Sequence, residues 1–196
     1  MRVISGTARG HKLIAPTGLK TRPTEGRMKE DLFNILMPSI SGAYFLDLYC
    51  GSGAIGIEAL SRGAQCAVFV DSSKDAIAST EANLKKTRLR HLAEVFHMPV
   101  DQVLKNQKLK GLVFDIVFMD PPYKSNELTP FLALEDVFVA NHIKENGIIV
   151  LECPLDVQLP NCYENNGMSI FRHKKYGQKQ FVFLCHRKLK PSLDKH

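Results

Sequence analysis

Apolar strand-like segments alternating with helical ones, a glycine-rich turn inside the first such pair, and two β-rich segments at the end predict an α/β fold. Strands separated by helices pair in parallel, so the sheet is expected to be mostly parallel and to close in an antiparallel hairpin across Gly177. At 196 residues and 44% apolar composition the chain can bury a core of its own.

Residues 1–20 alternate weakly and contain Gly6, Gly10 and Gly18, as a small hairpin or extended arm would. Thr21-Arg22-Pro23-Thr24 introduces a helix with Thr24 as its N-cap. Met28, Leu32, Phe33, Ile35 and Leu36 fall mostly on one face of that helix, and Pro38 is expected to end it. A strand then ends near Cys50, a helix covers 54–62, and Gly63 supplies a left-handed cap. A strand over 67–70, a helix over 74–86, a shorter strand over 93–97 and a brief helix over 100–106 follow. The apolar run 113–119 is a strand that must stop at Asp120, because Pro121 and Pro122 have no N–H for a ladder. Residues 129–142 read as a helix, 147–153 as a buried strand, and 168–176 with 180–187 as the hairpin. The chain thus divides into a basic arm over 1–22, a main domain over 23–190 and a tail over 191–196.

Two places carry chemistry. Gly51, Gly53 and Gly56 fit the G-x-G-x-x-G spacing between a strand and a helix, with Ser52 inside the turn. Asp71 ends the next strand twenty residues after Gly51, where an acid accepts hydrogen bonds from ribose hydroxyls. Asp47 puts a carboxylate beside the turn, which suits a cationic ligand better than a pyrophosphate; otherwise it is a strand-end residue capping the loop. S-adenosylmethionine, with its ammonium and sulfonium, is the cofactor that fits. The second place is Asp120-Pro121-Pro122-Tyr123, a rigid corner with a carboxylate, carbonyls and an aromatic ring. Asp120 and the Pro121 carbonyl can accept from the exocyclic amine of a planar base, on which Tyr123 stacks; the plainer reading is a turn after a buried strand.

Charge sorts the partners. Residues 1–30 carry seven Lys/Arg against Glu25 and Glu30, and residues 172–196 carry eight against Asp194, while the middle of the chain is acidic. Basic ends around an acidic centre are the footprint expected for a phosphate backbone, with Arg2, Arg9, Lys12, Arg22 and Arg27 as its contacts. Losing residues 1–20 is expected to weaken capture of the nucleic acid and to leave cofactor binding intact. No apolar run approaches the roughly 20 residues that span a bilayer. The N-terminus has no signal-peptide core. The five cysteines (50, 66, 153, 162 and 185) form no C-x-x-C pair, so neither disulfides nor a metal site is expected. Most read as small core fillers in a cytoplasmic protein.

The residues together resemble one family. Arg2-Val3-Ile4-Ser5-Gly6 with Arg9-Gly10, Thr21-Arg22-Pro23-Thr24 through Arg27, Leu46-Asp47-Leu48 with Gly51-Ser52-Gly53, Glu58-Ala59-Leu60-Ser61-Arg62-Gly63-Ala64, Asp120-Pro121-Pro122-Tyr123 and Tyr176-Gly177 are similar to bacterial 16S rRNA guanine-N2 methyltransferases of the RsmD type. The resemblance implies a class I, Rossmann-like methyltransferase sheet of seven strands, S-adenosylmethionine as donor and 16S rRNA within an assembled small ribosomal subunit as acceptor; a monomer is expected. Asp71 stands where the family more often has Glu, and Pro99 where an acid often faces adenine, with Asp101 two residues later. Adenine-N6 or protein glutamine methylation uses a related corner and stays open here. So does a non-catalytic RNA-binding assembly factor on the same fold.

Overall fold

The computed structural model describes residues 1–16, 23–105, 109, 111–122, 141–157 and 168–186, without the side chains of 23–25 and 104–105. The elements are α1 (Pro23–Ile40), β1 (Tyr44–Leu48), α2 (Ala54–Ser61), β2 (Cys66–Asp71), α3 (Lys74–Lys86), β3 (Ala93–His97), α4 (Val100–Lys105), β4 (Phe114–Met119), β5 (Ile143–Pro154), β6 (Met168–Tyr176) and β7 (Lys179–His186). A short 3₁₀ turn, Arg90–Leu92, leads into β3.

The seven strands form one sheet in the order β3-β2-β1-β4-β5-β7-β6. Strands β3 to β5 pair in parallel, and β7 runs antiparallel to both β5 and β6. The expected mostly parallel sheet with a closing antiparallel hairpin is therefore present. After β3 the chain crosses back to pair β4 with the other edge of β1. That reversal opens a crevice at the carboxyl ends of β1 and β4, where open α/β sheets take their ligands.

Period-2 alternation divides the core between the two faces. Phe45, Phe69, Phe118, Val150 and Phe183 pack with Leu32, Phe33 and Leu36 of α1, Ile57 and Leu60 of α2 and Leu84 of α3. Leu46, Val68, Val117, Leu151 and Val182 pack on the other face with Val100 and Val103 of α4. No helix among the described residues is long and apolar enough to cross a membrane.

Some local expectations are corrected. Thr24 is the second residue of α1 rather than its N-cap, since Pro23 opens the helix with its backbone angle preset. Pro38 does not end α1; it is exposed in the last turns, where water can satisfy the carbonyl it leaves unpaired, and the helix runs to Ile40. Strand β5 starts at Ile143, before the expected 147, through a register shift against β4. Most of the expected helix over 129–142 lies outside the described residues, as does the tail.

The basic arm is built into the domain. Its hairpin, with Arg2 bridged to Lys12, buries Val3, Ala8 and Leu13 in the main core. Glu58 is fully buried on α2 and accepts from the backbone N–H of Ile4 (2.8 Å) and Ser5 (2.9 Å), from Lys29 Nζ (2.9 Å) and from Arg62 Nε (2.9 Å). Lys29 also donates to the Arg2 carbonyl at 2.7 Å. Burial alone would raise the Glu58 carboxyl, but Lys29 and these hydrogen bonds hold it below the ordinary value. Gly6 seats the arm against α2: its φ is +83°, and a Cβ there would lie 1.6 Å from the Ser61 carbonyl oxygen. Thr7 N–H donates to that oxygen at 2.8 Å, and Ala8 N–H to Ser61 Oγ at 2.9 Å.

Glu58→Ala leaves the buried Lys29 ammonium without its carboxylate, and a loss of about 3–5 kcal/mol is expected. Denaturant unfolding measures it; a loss below about 1 kcal/mol would show that water reaches Lys29 easily.

Candidate active site

Strand β1 delivers Asp47 and then the turn. Asp47 is 1% exposed, and its Oδ2 accepts from Gly56 N–H in the first turns of α2 at 2.9 Å. That contact requires α2 to lie close: a Cβ on Gly56 would meet the Phe69 ring at 2.3 Å. The loop-capping role of Asp47 is thus present, and the same residue also faces the crevice. The turn itself is made of left-handed residues, Tyr49 (φ 62°), Gly51 (φ 56°) and Gly53 (φ 72°), the last being the N-cap of α2. A Cβ on Gly51 would meet nothing within 4 Å, so the backbone there stands open to an approaching group.

Asp71, at the end of β2, holds this turn in place. Its Oδ2 accepts from Gly51 N–H at 2.9 Å and its Oδ1 from Ser73 N–H at 2.8 Å. Each carboxylate oxygen keeps a second acceptor direction. Thr80 of α3 donates to the Gly51 carbonyl at 3.0 Å. Asn83, fully buried on α3, ties the turn to the arm: its Nδ2 donates to the Ser52 carbonyl (2.9 Å) and the Ile14 carbonyl (2.8 Å), while its Oδ1 accepts from Ile14 N–H (2.7 Å). Ser52 Oγ lies 3.6 Å from Met1 Sδ. Residues 1–20, whose loss was expected to leave cofactor binding intact, are thus tied to the glycine turn through Ile14 and Met1.

Strand β4 ends at Met119, and the corner follows. Asp120 and Pro122 are exposed, and Pro121 is buried. Asp47 pairs in register with Phe118, so alternation carries Asp120 to the same sheet face as Asp47. A cleft of about 1150 Å³ opens there, lined by Asp47, Tyr49, Gly51, Ser52 and Asp120, and by Arg2, Arg9 and Lys12 of the arm. Gly53 caps α2 beside it, and Asp71 stands behind the turn rather than on the lining. Arg27 is exposed on α1, between the lining residues Gly26 and Met28 but not itself in the lining, and lies near Tyr176, whose hydroxyl donates to Asp31 at 2.9 Å. Arg22 and Tyr123 lie outside the described residues. Asp101, on the first turn of α4, is exposed and faces Tyr49 electrostatically.

Residues not singled out from the sequence also reach the cleft. Glu152 of β5 and Lys179 of β7 line it and pair with each other, Nζ to Oε1, at 2.5 Å. The signal for Glu152 was its place: a carboxylate near the end of an otherwise apolar strand. Asn83 and Glu58 gave a weaker one, a polar residue within a helix that turns out to be covered on more than one side.

The electrostatics ask for a cation. Burial pushes the Asp47 carboxyl well above the ordinary range; Gly56 N–H opposes this, and the charges of Asp71 and Asp120 add to it. Burial likewise pushes the Cys50 thiol far up, with Asp47 adding to it, so Cys50 is no nucleophile. The residues therefore fit a ligand with positive charge over an open glycine turn.

Comparison with known proteins bears on the whole chain. The family described as "Conserved hypothetical protein 95" matches residues 1–185. YlbH of Bacillus subtilis strain 168 is 39% identical over 177 residues, 90% of this chain and 94% of its own length. The ribosomal RNA small subunit methyltransferase D of Escherichia coli K12 is 34% identical over 179 residues, 91% of this chain and 86% of its own. The solved structure of yhhF from Escherichia coli superposes with a TM-score of 0.80 at 33% identity, covering 95% of this chain and 97% of that one. SMU.776, solved complexed with SAH, shares the fold at 15% identity and a TM-score of 0.66, covering 84% of this chain and 50% of that one.

Because the native carboxyl value of Asp47 is raised, its neutral form favours folding at pH below the ordinary carboxyl value, and this contribution is lost as pH rises towards the raised value. Asp47→Asn is therefore expected to raise the melting temperature above about pH 4, with the advantage growing by up to about 1.4 kcal/mol per pH unit across that window. Thermal melts of both proteins at several pH values read it; parallel curves would place the charge of Asp47 in water.

Proposed function

The chain belongs to the conserved hypothetical protein 95 family, that of the RsmD-type enzymes, on the S-adenosylmethionine-dependent methyltransferase fold, and from that premise we propose that it methylates the exocyclic N2 amine of a guanine in 16S rRNA. The acceptor is the assembled or assembling small ribosomal subunit, and the enzyme works as a cytoplasmic monomer. One observation carries the reading: the glycine turn with Asp47, the Asp120 corner and the basic arm all line the same cleft.

S-adenosylmethionine, when bound, supplies an electrophilic methyl group on a sulfonium. Asp47, Gly51, Ser52, Gly53 and Asp71 are the residues to hold it. Asp47 and its neighbours compensate positive charge, the turn offers backbone N–H and C=O groups, and Asp71 has remaining acceptor directions for ribose hydroxyls. The 2-amine of guanine is a poor nucleophile because its lone pair is delocalised into the ring. Asp120 and the Pro121 carbonyl accept hydrogen bonds from it and so favour the pyramidal nitrogen on which positive charge develops. Asp120 or water then takes the proton. The base leaves its stack to reach this corner, and Tyr123 stacks against it there. Arg2, Arg9 and Lys12, at the cleft, hold phosphates, Arg27 on α1 adds a further contact, and Arg22, outside the described residues, is assigned the same role.

Asp120→Ala is expected to lower methyl transfer to undermethylated small ribosomal subunits by about 100- to 1000-fold and to leave S-adenosylhomocysteine affinity nearly unchanged. Near-normal turnover would remove Asp120 from the chemistry. Mass mapping of the product should find N2-methylguanosine; N6-methyladenosine or a methylated glutamine would move the reading to the related acceptors. Replacing Arg9 and Lys12 together should weaken RNA binding and reduce the slope of log affinity against log salt by about one for each phosphate no longer neutralised.

A further inference from the structure

Resting on the guanine-N2 reading above, we propose that Glu152 and Lys179 read the Watson–Crick edge of the target base: the Glu152 carboxylate accepts from guanine N1–H, and the Lys179 ammonium donates to guanine O6. Asp120, Glu152 and Lys179 all line the cleft. They come from strands that are neighbours in the sheet, β4, β5 and β7. Met119 pairs with Leu151, so Asp120 and Glu152 are the next positions of two parallel strands and lie on the same face. Glu152 in turn pairs with Phe181, and Lys179 is two residues from Phe181, again on that face.

Across the sheet this gives an acceptor, an acceptor and a donor. The edge of guanine offers a donor at N2, a donor at N1 and an acceptor at O6, in that order. Adenine offers a donor at N6 and an acceptor at N1, so Glu152 would face a lone pair. Lys179 engages Glu152 Oε1 at 2.5 Å, and a carboxylate accepts several hydrogen bonds at once. The Glu152 side chain is 13% exposed and that of Lys179 50%, so the acceptor sits deep and the donor reaches in from the rim. Phe118 and Phe181 line the same cleft, edge to face at 6.1 Å, and give the polar pair an apolar floor.

The test uses small ribosomal particles rebuilt with an rRNA fragment carrying either guanine or 2-aminopurine at the mapped target. 2-Aminopurine keeps the 2-amine and lacks both N1–H and O6. Glu152→Gln is expected to lower kcat/KM on guanine by about 10- to 100-fold and to change the 2-aminopurine rate by less than about threefold, so discrimination between the two collapses. Lys179→Met, at the solvent rim, should shift the same ratio in the same direction if Glu152→Gln fails to fold. Equal losses on both bases, or an unchanged guanine rate in both variants, overturn the proposal. A wild-type product other than N2-methylguanosine overturns the underlying reading instead, before any variant is compared.

Discussion

Helix α2 lies against β1 and β2 so closely that no side chain fits at Gly56, and the site follows from that approach. The closeness lets Gly56 N–H reach Asp47, which fixes the first turns of α2 against the end of β1. The chain between them must then turn in four or five residues, which is why left-handed positions gather at Tyr49, Gly51 and Gly53. A bulkier residue at Gly56 would push α2 outward, lengthen that turn and pull Asp47 away from its donor. Backbone proximity is thus the cause, and the open glycine surface its result.

Electrostatics follow from the same arrangement. Parallel strands direct their carboxyl ends to one edge, and here Asp47, Asp71 and Asp120 all arrive at that edge with Glu152 beside them. Such a gathering works against folding: burial makes Asp47 reluctant to ionise, and the charges of Asp71 and Asp120 add to it. The protein retains strain of this kind where a ligand will relieve it. Glu58 follows the opposite logic: it is also buried but surrounded by donors, so it stabilises by being ionised.

Much of the fold was legible because strand and helix periods differ and because glycine and proline punctuate them. The turn at Gly51 and the corner at Pro121 were readable for that reason. What the sequence hid were contacts between distant segments. Asp71 read as a ribose acceptor, while its two oxygens also hold Gly51 and Ser73. The arm read as a small basic extension because its weak alternation marked no core face; only the fold shows that Val3, Ala8 and Leu13 complete the core and that Glu58 and Asn83 fasten the backbone around them. Pro38 misled through its type, since a proline near a helix end, facing water, breaks little. Such pairings over fifty or more positions leave no local pattern behind.

Met1 has a bearing on how the molecule is handled. It lines the cleft, and its sulfur touches Ser52 beside the glycine turn. A change of size or polarity at that sulfur, such as oxidation to the sulfoxide, would therefore be felt at the turn and at the cleft wall together.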